Sequence, residues 1–439
     1  MKILHVGWGY PPENFANGTS AYVEELCEEL AFKGHKNILL AASPMRVDGG
    51  LPFSIIHRTY NGLDIYGITN RHVQLKDLQQ PMREMQNPES ERAFQRIVDE
   101  VDPDVVHFHK LAGLSASLLD VANQFAIPSV VSLHDYWPIC PRSDLFNDCY
   151  QACPGPGNGG RCAQCIPSNN GDASLEKRAA MYATRRRTIM RWLGEADAVI
   201  ATSGYIRDVY ADHGLPESNT QTIHCGAKTA EELWAATRRQ PWRLPDVLTF
   251  GFIGSICRRK APHLLIEAAT MLTDLEPRFR ISIHGTIADR HYALEIEERL
   301  LSLNGRLPEI EFAGYYKPQM LKEILGKFDV CVVPPAWPDC APRTAMEALG
   351  ARVPVIASMS GGLTEVVGHG YNGLLFESGS ATSLAEQMRH LIENPIVVAH
   401  FKSSIMPPKQ MVLHAGEIES IYNSVISRAS AAVPELKAA

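Results

Sequence analysis

The sequence has no apolar run near the ~18 residues of a membrane span, which argues against a membrane-embedded chain. Its first residues, Met1 to Trp8, turn polar after a handful of positions. They read as a first strand rather than as a secretory leader, and a cytoplasmic protein is expected. Positive charge is not in excess: 42 Lys and Arg stand against 49 Asp and Glu, a net charge of −7, so no nucleic-acid partner is expected. No Gly-x-Gly-x-x-Gly follows the first strand, which disfavours a nicotinamide enzyme. No short internal repeat is present. What remains is a 439-residue chain, 45% hydrophobic and 21% charged, with the balance of a globular enzyme. At roughly 150 residues per domain, its length suggests two or three domains.

Short apolar runs alternate with helical patterns. In the first half the strand candidates are Lys2–Val6, Asn37–Ala41, Val105–His109, Ser129–Leu133 and Ala198–Thr202. In the second half they are Leu248–Ile253, Arg280–His284, Glu311–Gly314, Asp329–Pro334 and Val353–Ala357, with helices predicted over Leu264–Leu272, Leu294–Leu303, Met320–Phe328 and Ala341–Leu349. Continuous apolar strands separated by helices predict parallel sheets covered on both faces. Ala230–Pro245 carries no clear strand and is taken as the break between the two series. The expected organisation is a domain over 1–228, a linker over 229–246, a second domain over 247–412, and a last helix and tail over 413–439. Two doubly wound domains with ligand sites at the carboxyl ends of their strands imply a cleft between them.

Several segments carry chemistry. The first strand runs into Gly7-Trp8-Gly9-Tyr10-Pro11-Pro12, and Gly18 then precedes Ser20 at a helix start. That arrangement suits a diphosphate or a closely approaching carbohydrate, and equally an ordinary N-cap. The fourth strand ends in Ser132-Leu133-His134-Asp135-Tyr136-Trp137, placing a histidine and a carboxylate where sites of such sheets lie. His107 and His109 alternate on the preceding strand and read as structural, bordering an acceptor pocket at most. In the second half Gly254-Ser255-Ile256-Cys257-Arg258-Arg259-Lys260 follows a strand, and its cations can neutralise a departing phosphate. Asp339 and Glu347 lie eight positions apart, Asp339 in a loop and Glu347 on a helix whose first turn Pro342 is expected to begin. One carboxylate can bind sugar hydroxyls and the other ribose hydroxyls, while amides around Arg343 and Thr344 hold a diphosphate.

The stretch from Val332 to Ala357 resembles the Glu-x7-Glu region of retaining glycosyltransferases of the two-domain GT-B fold, family 4 in particular. The resemblance continues through Ser360-Gly361-Gly362-Leu363-Thr364-Glu365 and Asn372-Gly373-Leu374-Leu375-Phe376. It also takes in the Gly18 loop, Phe32-Lys33-Gly34-His35, Pro103-Asp104-Val105-Val106-His107 and Ala196–Ser203, and so nearly the whole chain. It implies an α/β chain of two Rossmann-like domains facing a central cleft, with a C-terminal helix crossing back to the first.

By position, the resemblance implies that Gly18 contacts the donor and that His134 lies beside the donor sugar. It implies that Lys260 stabilises the departing phosphate, with Ser255, Arg259, Arg343 and Thr344 nearby. Asp339 then takes the first acidic position, near sugar hydroxyls, and Glu347 the second, on the ribose. The implied reaction is front-face transfer with retention from a nucleotide sugar, UDP-linked by family habit and GDP-linked as the alternative. Its acceptor is a hydroxyl of a sugar, a lipid-linked carrier or a small molecule, in polysaccharide, glycolipid or metabolite synthesis, and it needs no catalytic metal. The chain departs from the family in three places. Asp339 stands for a glutamate, Ser255 for an arginine and Ala261 for a glycine. These departures bear on donor identity. A catalytically lost nucleotide-sugar-binding scaffold and a nucleotide-sugar epimerase are the alternatives.

Of the ten cysteines, Cys140, Cys149, Cys153, Cys162 and Cys165 share one stretch. Cys149-x3-Cys153-x8-Cys162-x2-Cys165 is spaced for a structural zinc knuckle, with free thiols or a redox disulfide as alternatives. The family resemblance implies Cys140, Cys153, Cys162 and Cys165 as ligands, with Cys149 spare. A basic helix carries Lys177, Arg178, Arg185, Arg186, Arg187 and Arg191. It reads as a solvated face with one buried stripe, or as a peripheral contact with a membrane surface or a phosphorylated acceptor.

Overall fold

The computed structural model describes residues 1–7, 9, 18–44, 51–70, 78–168, 173–237, 245–302 and 309–436. The expected loop residues Trp8 and Tyr10 to Asn17, and part of the expected linker, lie outside these. The chain divides into two compact units. The first comprises Met1–Asp148, Cys153–Cys225 and Met411–Ala439, and the second Cys149–Ala152 and Gly226–Gln410.

The first unit is built on eight strands: β1 (Lys2–Gly7), β2 (Lys36–Pro44), β3 (Ile55–Tyr60), β4 (Leu63–Asn70), β5 (Val105–Phe108), β6 (Ser129–Leu133), β7 (Ala198–Ala201) and β8 (Thr220–Thr222). Their order is β3-β4-β2-β1-β5-β6-β7-β8, parallel except for the β3–β4 hairpin. Tyr60 pairs with Leu63 across Asn61-Gly62, both with positive φ, as a tight hairpin turn requires. The chain leaves β1 towards β2 on one side and reaches β5 on the other. The carboxyl ends of β1 and β5 therefore form a topological switch point, where ligands of such sheets bind.

One face of this sheet is covered by the helix Gly18–Phe32 and by the final helix, Met411–Leu436. Met411, Ala415, Ile418, Tyr422 and Val425 recur at spacings of four and three, forming a single stripe. That stripe packs on Ile3, Leu39, Val105, Val130 and Ile200. A fully buried Ile or Leu of this kind contributes about 1.5–3 kcal/mol, which is why a chain end returns to the first unit. Lys33 and His35 bind Glu419 at 2.9 and 2.8 Å along the edge of the same contact.

The second unit has six strands, all parallel: β9 (Leu248–Ile253), β10 (Phe279–His284), β11 (Ile310–Gly314), β12 (Val330–Val333), β13 (Val355–Ser358) and β14 (Gly373–Phe376), in the order β11-β10-β9-β12-β13-β14. Apolar clusters lie on both faces. One is centred on Phe250, Phe252, Ile283 and Leu384, the other on Ile253, Val333, Ala348 and Leu363. Here the switch point lies between β9 and β12.

Two expectations are corrected. The residues expected to open a linker form the helix Lys228–Ala236, which belongs to the second unit. Its Ala230 carbonyl comes so close to Gly350 that a Cβ there would lie 2.4 Å from the oxygen. The basic helix, Leu175–Glu195, does not carry all its charge on a solvated face. Arg185 is 1% exposed, pairs with Glu84 at 3.2 Å, and donates to the carbonyls of Trp137 and Pro138. Its guanidinium lies 4.5 Å from the Trp137 ring centre.

Candidate active site

In the second unit the loops after β9 and β12 bring together two of the expected catalytic residues. Lys260 Nζ lies 2.7 Å from Asp339 Oδ2, with the lysine side chain 27% and the aspartate 9% exposed. The Lys260 ammonium and the Arg259 guanidinium each stand 5.6 Å from the Trp337 ring centre. The two loops are also stitched by backbone, the Ala336 amide donating to the Arg259 carbonyl at 2.9 Å. Arg259 and Ser255 are exposed. Arg258 is held against Glu295 and the Tyr292 ring, so Arg259 is the loop arginine nearer Trp337.

Asp339 is fixed by its own backbone. Its carbonyl accepts from the Gly362 amide at 2.7 Å. Gly361, at φ +59°, faces it so closely that a Cβ would lie 2.3 Å from the Asp339 oxygen and 2.6 Å from its nitrogen. Only glycine provides both the left-handed backbone and the clearance. Ala261 also adopts a left-handed conformation, φ +50° and ψ 45°. The chain thus keeps, at this departure from the family pattern, a backbone that glycine adopts more readily, and adds a methyl group.

The helix after Asp339 spans Arg343–Gly350, with Pro342 at its N-cap rather than in its first turn. The Arg343 amide donates to the Ala341 carbonyl at 2.9 Å, so it is not the unengaged donor expected from sequence. Thr344 stands half-buried in the first turn. Glu347 sits half-buried on the same helix. Burial, with the Glu347 charge added, pushes the Cys331 thiol up to about 12 and the Tyr316 phenol upwards too. The carboxylate therefore lies on the side of the helix facing those groups.

In the first unit Gly18 opens the helix Gly18–Phe32 and is exposed. His134 follows β6 and lines a pocket with His109, Lys110, Asp135, Trp137 and Tyr210. Asp135 binds Lys110 Nζ at 2.6 Å, accepts from the Trp137 amide at 2.9 Å, and through its carbonyl accepts from the Tyr210 hydroxyl at 2.7 Å. Lys110 had no motif to mark it in the sequence.

His134 is joined to a buried row of histidines. His109 Nδ1 lies 3.2 Å from His134 Nε2, and His5 Nδ1 lies 3.1 Å from His109 Nε2. His107 branches off, meeting the Tyr422 hydroxyl at 2.6 Å and the Ser132 hydroxyl at 2.8 Å. Burial lowers all four imidazoles, His5 and His134 to about 4. They are therefore neutral at pH 7. His109, expected to be structural, thus contacts the site histidine directly. The alternation of His107 and His109 was the available signal.

The cysteine-rich segment places Cys140 and Cys162 in buried positions and Cys153 and Cys165 half-buried, whereas Cys149 is exposed. Burial pushes the Cys140 thiol up to about 11 and the Cys162 thiol up to about 12, with Cys140, Cys153 and Cys165 adding to the rise at Cys162. Cys153 lies close enough to Cys140, Cys162 and Cys165 to add to the rise at each of them. Cys149 is assigned to the second unit with Ala152, apart from the other four. Among the described residues, the group with three potential ligand atoms within 4.8 Å is instead His5, His107 and His109.

Residues 16–231 match the model for "Glycosyltransferase Family 4", and residues 236–405 match that for "Glycosyl transferases group 1". The chain belongs to the family 4 glycosyltransferases. A D-inositol 3-phosphate glycosyltransferase of Corynebacterium aurimucosum is 25% identical over 52% of this chain and 57% of its own length. The chain spans about half the length of the curated relatives of that name that it matches. An uncharacterized 42.6 kDa protein in the cps region of Klebsiella pneumoniae is 22% identical over 83% of this chain and 87% of its own. Among solved structures, the sucrose-phosphate synthase of Thermosynechococcus elongatus aligns over 100% of this chain and 99% of its own, with a TM-score of 0.61 and 18% identity. Anabaena HepE, in complex with UDP and glucose, aligns over 98% and 99%, with a TM-score of 0.59 and 17% identity. The family 4 glycosyltransferase of this sequence has the GT-B fold, two parallel-sheet α/β units.

Proposed function

We propose that this glycosyltransferase moves a sugar from a nucleotide-sugar donor, a UDP-sugar before a GDP-sugar, to an acceptor hydroxyl with retention of anomeric configuration. The observation that carries this reading is the Lys260–Asp339 pair between the loops that follow β9 and β12. The glycosidic bond to the diphosphate breaks and its electron pair leaves with the phosphate. Lys260 and Arg259 stabilise the charge that develops there. The acceptor oxygen bonds to the anomeric carbon on the same face and passes its proton to the leaving phosphate oxygen. Asp339 holds Lys260 in place and presents its other oxygen to a sugar hydroxyl, while Glu347 binds the ribose. Gly18, Arg343, Thr344 and Ser255 complete the donor contacts. No catalytic metal is called on. The acceptor is a sugar, a lipid-linked sugar or a small molecule, consistent with a role in polysaccharide, glycolipid or metabolite synthesis. Support for the donor class comes from structural neighbours described with UDP, UDP-glucose or UDP-2-fluoro glucose.

Cys140, Cys153, Cys162 and Cys165 are proposed to hold a structural zinc. Thiolates suit that metal, and four of them leave no open position for catalysis. The raised pKa values of the Cys140, Cys162 and Cys165 thiols mean that binding would release protons. Such thiols accord with a reducing, cytoplasmic setting. Among the described residues no helix is long and apolar enough to cross a membrane. Lys177, Arg187 and Arg191 remain exposed for a peripheral contact with an anionic lipid surface.

The test is binding of UDP, GDP and a panel of their sugars, with release of free nucleotide followed in the same samples. Asp339→Asn and Lys260→Ala serve as controls. Selective binding of one sugar nucleotide, with slow nucleotide release lost in both variants, is expected. Absence of binding to every nucleotide would refute the reading.

A further inference from the structure

The row of histidines ends on a group whose orientation is fixed. Asn37 Nδ2 lies 3.0 Å from the Cys27 carbonyl oxygen, which can only accept, so the amide nitrogen must face it. Asn37 Oδ1 then faces His5 Nε2 at 3.1 Å, and that ring nitrogen must carry the hydrogen. A neutral imidazole bears one N–H, so His5 Nδ1 is bare and must accept. Its partner at 3.1 Å, His109 Nε2, therefore carries the hydrogen and His109 Nδ1 is bare. The next partner at 3.2 Å, His134 Nε2, donates in turn. One amide in β2 thus dictates the tautomer of a histidine at the end of β6, through two imidazoles. Among the described residues nothing bonds His134 Nδ1. Its ring retains some exposure at the pocket wall, with the Tyr22 ring 4.8 Å away.

We propose that Asn37, His5 and His109 are positioning residues that lock His134 in its Nε2–H tautomer, so that Nδ1 serves as a hydrogen-bond acceptor for a sugar hydroxyl. His134 then binds its ligand without giving up a proton. Burial of the row keeps each member neutral near pH 7. The hydroxyl partner rests on the nucleotide-sugar reading above, whereas the tautomer does not.

The experiment is a two-bond proton–nitrogen correlation spectrum of the full chain labelled with 15N-histidine at pH 7.5, with His134→Gln used to assign the His134 signals. The expected pattern is a protonated Nε2 and a bare Nδ1 at His134, His109 and His5 alike. Addition of the preferred sugar nucleotide should shift His134 Nδ1 and leave its tautomer unchanged, while UDP alone should not shift it. Asn37→Leu removes the acceptor that sets the order. It should give mixed tautomers at His134 and weaken sugar-nucleotide binding about fivefold, one hydrogen bond's worth, with UDP affinity unchanged. A His134 carrying its proton on Nδ1, or an imidazolium at this pH, overturns the proposal. So does a metal-bound nitrogen at His5 or His109, since a cation shared by that pair and His107 needs the lone pair that the chain protonates. The unsubstituted protein decides the tautomer even if Asn37→Leu does not fold. If no sugar nucleotide binds, the functional reading fails while the tautomer result stands.

Discussion

Asp339 holds the Lys260 ammonium at 2.7 Å, and the aspartate is the more buried partner of the two. Removing the lysine strips the site of its closest cation and leaves a buried carboxylate without one. Lys260→Ala should lower turnover about 10²–10³-fold, the usual loss for one transition-state charge contact. Asp339→Asn should lower it as well, and the double variant should fall short of the product of the two effects. Steady-state nucleotide release measures this, and wild-type turnover in Lys260→Ala would sink the assignment.

Gly361 lies behind that pair. Gly361→Ala would drive a methyl group into the Asp339 backbone and also force alanine into φ +59°. Turnover should fall by up to about a hundredfold, because small displacements of a reacting group are costly. A crystal structure of the variant should show the Asp339 backbone displaced. Unchanged kinetics would mean that the loop yields at no cost.

The buried histidines make stability pH-dependent. His5 has a folded pKa of about 4, against about 6.5 in an unfolded chain, so the unfolded state takes up the proton first. Stability is complete above about pH 6.5 and is lost as the pH falls towards 4, on the order of 3 kcal/mol from His5 alone. Urea midpoints at pH 7.5, 6 and 5 should fall in that order, and the slope should flatten in His5→Gln. A midpoint that does not move across this range would contradict the buried neutral row.

Arg185 ties the helix Leu175–Glu195 to the loop after His134. Arg185→Met removes the guanidinium that pairs with the buried Glu84 carboxylate at 3.2 Å and should cost about 3–5 kcal/mol. Replacing both, Arg185→Met with Glu84→Leu, should recover much of that loss, as chemical denaturation would show. Equal losses in the single and double variants would mean that the carbonyl contacts of Arg185, not its ion pair, matter most.

The cysteine segment is tested by metal analysis. The purified protein should carry about one zinc per chain, and Cys162→Ser should lose it and melt at a lower temperature. Cys149→Ser should keep both metal and melting point. Protein free of zinc after expression in zinc-replete medium would leave the thiols as a reduced cluster.

Much of the fold is legible in the sequence because parallel strands buried on both faces are continuous apolar runs. Leu248–Ile253 and Ser129–Leu133 coincide with β9 and β6. The edges are harder to read. The edge strands β3 and β8 are partly exposed and carry polar residues such as His57, Arg58 and Gln221, so no apolar run marks them. The Asn61-Gly62 turn was the one local signal for the hairpin. Lys260 and Asp339 follow from motif and position. That they touch does not, since 79 positions separate them. What Lys110, Asn37 and His109 do is hidden for another reason. Their roles depend on which strands are neighbours, and a sheet order cannot be read from any one strand.

The helix Met411–Leu436 completes a unit begun at Met1. On the ribosome, β1, β5 and β6 emerge long before it. Until it arrives, the His107 ring lacks the Tyr422 hydroxyl and the Tyr22 hydroxyl lacks His414. The second unit, apart from the short Cys149–Ala152 segment, is contiguous in sequence and can close while the first still waits. At ordinary synthesis rates that wait is on the order of ten seconds or more. During it the part of the apolar face around Ile3, Leu39 and Val105 that this helix covers stays open to water.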